Sequence, residues 1–78
     1  MNKQRRQELL DVIDPLEDAI LKLEEIRDEE QDVFDNLPEG LQCGVRGDSM
    51  QEAIDTMEGW INDIVELIQK IDKYAKRK

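Results

Sequence analysis

Two stretches of the chain carry the same three-column heptad pattern, with a glycine-rich segment between them. In the first, Ile13, Ile20 and Phe34 form one column, Leu9, Leu16, Leu23 and Leu37 a second, and Val12, Ala19, Ile26 and Val33 a third. In the second, the columns are Ile54, Ile61, Ile68 and Ala75; Met50, Met57, Ile64 and Ile71; and Ala53, Trp60, Leu67 and Tyr74. Apolar positions recurring every seven residues mark helices packed lengthwise. Two columns make the seam for one partner helix, and three make a face wider than one helix covers. The pattern predicts an all-α fold: an antiparallel two-helix hairpin that oligomerises into a four-helix or larger bundle. Ile26, Val33, Trp60, Leu67 and Tyr74 are the apolar residues left over for burial between subunits.

The chain is expected to be one domain over 1–78, since 78 residues allow no more. So short a chain builds a modest core and usually needs a staple or a partner. With one cysteine, Cys43, and no histidine, an intrachain disulfide and a Cys/His zinc site are excluded. The basic start Met1–Arg6 leads into no apolar run, so no signal peptide is expected. No stretch approaches the roughly 20 apolar residues of a membrane span. These features point to a reducing cytoplasm, with no metal and no cofactor.

Helix 1 is expected over about 4–36. Pro15 lies inside it, removing one backbone donor and crowding the preceding turn. Because the columns run through without a register change, a continuous helix with a bend is expected, in preference to a fresh start capped by Asp14. Arg27 and Glu30 interrupt the core columns three residues apart, where an edge salt bridge or a register-setting polar pair would form. Pro38 stops the helix, and a loop is expected over about 37–47. There Gly40, Gly44 and Gly47 would supply positive φ, and Leu37 and Leu41 would tuck over the end of the core. Asp48 or Ser49 is expected to cap helix 2, Ser49-Met50-Gln51-Glu52 reading as a capping box, with the helix running from about 49 to about 75.

The net charge of −9 is unevenly spread. Residues 1–7 hold Lys3, Arg5 and Arg6; residues 70–78 hold five cations against Asp72; residues 8–69 hold nineteen acids against Lys22, Arg27 and Arg46. A hairpin therefore has a basic end and an acidic body, which suits solvated helical faces. The sharper alternatives are phosphate contact at the basic end and nucleic-acid mimicry by the body.

Residues for catalysis are sparse. Without histidine there is no Ser–His or Cys–His pairing, and the glycines match no phosphate-binding turn. The chain is expected not to be an enzyme. Cys43 reads as an incidental loop thiol, and Arg46-Gly47-Asp48 as a chance match to an integrin tripeptide. The loop is longer than a helix–helix connection requires and offers Asn36, Glu39, Gln42 and Arg46 to a ligand or partner. Arg46 is the only cation for many residues on either side, the natural contact for a phosphate or carboxylate. A structural role for the same loop is the alternative: Asn36 caps helix 1, and Arg46 pairs with Asp48 or Glu39.

The segments Asp28-Glu29-Glu30-Gln31, Phe34-Asp35-Asn36-Leu37-Pro38-Glu39-Gly40-Leu41-Gln42, Arg46-Gly47 and Met50-Gln51-Glu52-Ala53-Ile54-Asp55 resemble small acidic helical-hairpin proteins encoded by phages and prophages. Their turn reads aromatic-Asp-Asn-Leu-Pro-Glu-x-Leu-Gln. This chain departs from their pattern at Gly44, Val45 and Asp48, where Ser, Glu and Glu are expected. The resemblance implies a phage accessory protein in the cytoplasm of an infected or lysogenic bacterium. By analogy it further implies a stoichiometric inhibitor of a host defence system; the homo-oligomer read from the columns would present its loops to capture a host protein or a nucleotide signal. The alternative is a structural or adaptor oligomer touching DNA or a replication protein through its basic end, or an acidic nucleic-acid mimic, although nucleic acid is the less expected partner.

Overall fold

The computed structural model describes residues 1–77; Lys78, counted above in the basic tail, lies outside the described residues. The fold is all-α: α1 (Lys3–Asp11), α2 (Ile13–Asp35), α3 (Glu39–Gln42) and α4 (Val45–Ala75), with no strand among the described residues. Asn2 caps α1, its side-chain oxygen accepting the Arg5 N–H at 2.8 Å.

The expected continuous first helix is instead two helices separated by Val12. Pro15 has no N–H to give the Asp11 carbonyl, so the ladder tightens ahead of it. The Val12 N–H turns to the Leu9 carbonyl at 3.2 Å, and the Leu16 N–H reaches the Val12 carbonyl at 3.4 Å. Val12 keeps helical dihedrals (φ −69°, ψ −24°), so register survives the break. Leu9, Ile13, Leu16 and Ile20 are accordingly half-buried on both sides of it. Asp14 lies inside α2 and caps nothing; Val12 holds the capping position without a side-chain bond.

The turn is more helical than its glycines suggest. Pro38 leads into α3, where the Leu41 and Gln42 N–H groups bond the Pro38 carbonyl at 2.8 and 3.1 Å. Helix α4 begins at Val45, four residues before the expected start, with the Asp48 N–H on the Gly44 carbonyl at 3.0 Å. Asp48 and Ser49 are thus already inside a helix, and the capping box at Ser49–Glu52 does not form. No glycine among the described residues has positive φ. Gly47 is needed for closeness instead: it is buried, and a Cβ there would overlap the Gln42 main-chain carbonyl. That contact seats α3 against the first turn of α4. Leu37 is half-buried beside it, whereas Leu41 is exposed and does not cover the core.

Helix α4 packs along α2 and reaches α1 beyond it. The molecule is a rod of 59 × 15 × 11 Å, a cross-section with room for two helices at the usual 8–10 Å spacing. A chain that turns back at α3 within such a rod runs antiparallel, with both termini at one end and the turn at the other. The buried apolar side chains are Ile54, Met57, Ile61 and Ala75, all on α4. Helices α1, α2 and α3 contribute no fully buried residue. Arg27, half-buried, does not pair with Glu30. Its guanidinium donates to the neighbouring Asp28 carboxylate at 3.0 and 3.2 Å, because Asp28 needs no reach across a turn.

Candidate functional site

Four polar residues of the turn were candidates for a ligand, and the structure divides them into two pairs. Asn36 donates its side-chain N–H to the Asp32 carbonyl at 2.9 Å, and Gln42 donates to the Phe34 carbonyl at 3.0 Å. Each adds a side-chain bond to a carbonyl at the end of α2 that already accepts a main-chain N–H, Asp32 from Asn36 and Phe34 from Leu37, both at 3.1 Å. Gln42 also ties α3 back to α2. These two residues hold the frame. Glu39 and Arg46 are exposed at the turn end of the rod. Among the described residues neither forms an ion pair, so the expected pairing of Arg46 with Asp48 or Glu39 is absent. Glu39 stands in the first turn of α3, and Arg46 is the second residue of α4.

The second surface is apolar. Ile26, Val33, Trp60, Leu67 and Tyr74 are all exposed, as is Val12. Each residue of the third column precedes one of the first column by one position, on both long helical stretches. One residue on a helix is a rotation of about 100°. The same rotational sense on two antiparallel helices brings both third columns to the same flank of the rod. The column one position after the first falls on the opposite flank. It reads Asp14, Leu21, Asp28 and Asp35 on α2, and Asp55, Asn62 and Gln69 on α4 with Lys76 at its C-cap. One flank is therefore an apolar stripe, and the other is polar apart from Leu21 and Val65.

The elongated rod leaves more surface accessible than a compact chain of its mass would. The chain exposes 6013 Å², whereas a compact folded monomer of its 9.1 kDa exposes roughly 4,900 Å². The excess, roughly 1,100 Å², is comparable to one side of a stable protein interface.

Two open grooves lie along the stripe. One of about 410 Å³ is lined by Ser49, Glu52, Ala53, Thr56, Met57 and Trp60. The other, of about 300 Å³, lies between Met1, Arg5, Glu8, Leu9 and Val12 near the termini. Sequence reading placed Trp60 on this face but missed Ser49 and Thr56. The available signal was their size and spacing: small residues at 49, 53 and 56 share a helical face beside an indole and leave a hollow.

No protein-family model, curated protein or solved structure matches this chain. Its function is therefore argued from these two surfaces. No helix among the described residues is long and apolar enough to cross a membrane.

Proposed function

We propose that the chain is a non-enzymatic accessory protein of a phage or prophage, a self-assembling stoichiometric inhibitor of a host defence system. The apolar flank serves assembly, and the turn end of the hairpin captures the target. The observation that carries the capture reading is the division of labour in the turn. Asn36 and Gln42 brace it through main-chain carbonyls of α2, leaving Glu39 and Arg46 exposed on a rigid frame. An exposed guanidinium on a braced turn, with no acid paired to it among the described residues, is open to an anion and can bind it through a planar fork of donors. The target chemistry is thus anionic: a nucleotide signal or a carboxylate-bearing surface of a host protein. The resemblance of the Phe34–Gln42 turn to phage-encoded hairpins supports the biological setting.

At the basic end, where the DNA-docking alternative would act, two cations are engaged within the chain, and Lys3, Arg5, Arg6, Lys70 and Lys73 form no ion pair among the described residues. Lys76 is held by Asp72 at 3.0 Å, and the Arg77 guanidinium lies over the Tyr74 ring, 5.5 Å from its centroid.

Two readouts test the reading. In a defended bacterial strain, expression of the chain raises phage plating efficiency; in an undefended strain it changes nothing. Calorimetric titration of nucleotides and of purified defence proteins then separates the two target chemistries. Arg46→Ala abolishes capture and leaves the melting temperature unchanged. Gln42→Ala does the reverse. It removes one bond worth about 1 kcal/mol and lowers the melting temperature by about 4–8 °C, while the chain still folds and binds. Full protection and capture by Arg46→Ala would contradict the proposal.

A further inference from the structure

We infer that the apolar flank docks a second copy of this chain in the opposite direction, the turn of each copy lying beside the termini of the other, with Trp60 at the twofold axis. The inference rests on the self-assembly half of the function proposed above; Arg46, seven residues before Ala53, stands at the turn end of the same flank, opposite Tyr74 of the partner subunit.

The first support is charge. Helix α4 spans Val45–Ala75, so Trp60 is its midpoint; α1 and α2 together span Lys3–Asp35, so Ala19 is theirs. Cutting the rod at these two residues divides the charge unequally. Residues 20–59, the turn half, hold twelve acids against Lys22, Arg27 and Arg46, a net −9. The terminal half holds eight acids and eight bases, a net zero. Parallel docking would lay −9 along −9. Opposite docking lays each −9 half along a neutral half that carries Lys3, Arg5, Arg6, Lys70 and Lys73. Charges within a Debye length of about 8–10 Å of one another are not screened away, so the direction is set at this spacing.

The second support is side-chain size. A twofold axis perpendicular to the rods and lying in the interface maps each helix onto its own copy, as an isologous contact requires. Around Trp60 the α4 column is then reciprocal: small Ala53 faces large Leu67 of the partner subunit, and Leu67 faces the partner subunit's Ala53. At the axis the two indoles meet, beside Ala19 from each α2 at the same level. Small Ala53 opposite large Leu67 fills the space between the α4 copies, and on the α2 side Val12 lies opposite Ile26 of the partner subunit. The third support is area. The broad face of the rod projects to roughly 900 Å² (59 × 15 Å), so a partner lying along its full length has room for the ~800 Å² per partner of a stable interface.

The native chain supplies the test, because Cys43 is its one cysteine and is exposed at the turn. Sedimentation equilibrium should give twice the 9.1 kDa chain mass. Nitroxide labels on Cys43, read by double electron–electron resonance, should be separated by close to the 59 Å rod length. Leu67→Glu, which leaves the α2–α4 contact intact, should halve the mass while helicity by circular dichroism persists. A monomeric native chain, or one of three or more copies, would overturn the inference. So would a dimer whose two labels sit together at one end, and so would an undiminished mass for Leu67→Glu. None of these results would by itself remove target capture by Arg46, so failure here is distinguishable from failure of the functional proposal.

Discussion

Ile54→Ala should lower the melting temperature by at least about 12 °C, the largest loss expected from any single truncation in the chain. Ile54 is 2% exposed and is the most deeply buried large side chain. Shortening a buried Ile to Ala removes apolar contact and leaves a hollow, at a cost of about 3 kcal/mol. In a domain of this size each kcal/mol moves the melting temperature by about 4–8 °C. The effect is large because the core is thin: among the described residues the buried apolar side chains are Ile54, Met57, Ile61 and Ala75, all on one helix. Val45→Ala is the control. Val45 is 87% exposed, and a surface change of this kind stays within about 0.5 kcal/mol. The comparison is made by thermal denaturation at one fixed protein concentration, since self-association makes the midpoint concentration-dependent. Equal midpoints for the two variants would show that the α2–α4 contact is not centred on Ile54.

Gly47→Ala should also destabilise, by about 2 kcal/mol, against the direction that helix propensity alone predicts. Both Gly47 and Gly59 lie inside α4, and replacing a helical glycine by alanine normally gains up to ~1 kcal/mol. Gly59 has open space where a Cβ would go, so Gly59→Ala should raise the melting temperature. At Gly47 the Cβ would overlap the Gln42 carbonyl and the main chain beside it. Backbone cannot rotate away as a flexible side chain does, so α3 must lift off α4, and overpacking of this kind costs about 1–3 kcal/mol. The bond from the Gln42 side chain to the Phe34 carbonyl strains with it. Opposite signs for the two glycines are the expected result. A gain at both would mean that α3 is not seated where the structure places it.

The long helices were legible because their signal is redundant. Leu9, Leu16 and Leu23, and Met50, Met57 and Ile64, repeat over several turns, so single exceptions such as Arg27 do not hide the period. The break at Val12 was half-legible. Pro15 announces a missing hydrogen bond, but whether the ladder bends or interrupts depends on the carbonyls ahead of it, which sequence does not position. The turn was misread for a definite reason. Gly44 and Gly47 are poor helix formers, and Ser49–Glu52 has the form of a helix start. Both local signals lose to a tertiary one. Gly47 lets α3 lie against α4, and that contact stabilises one more turn of helix than local propensity supports. Asp48 then falls in the first turn, where a negative charge suits the helix N-terminus.

The candidate site was legible in its residue types and not in their assignments. Asn36, Glu39, Gln42 and Arg46 are all plausible ligand contacts as a sequence. Only the positions of the Asp32 and Phe34 carbonyls show that Asn36 and Gln42 are engaged in bracing the turn. The third column was legible as surplus apolar surface, because its seven-residue spacing continues through both helical stretches. That both copies of it reach one flank follows from the reversal of chain direction, a fact about topology.

The cover over that flank is tested most directly by the emission of Trp60, the chain's one tryptophan. In a single hairpin the indole is 53% exposed. At the twofold axis of a dimer it is out of water. At high concentration the emission should be blue-shifted, moving to the red on serial dilution along the same curve that sedimentation gives for loss of the dimer. A red, water-exposed emission at every concentration, including the highest, would contradict a flank covered by a second copy.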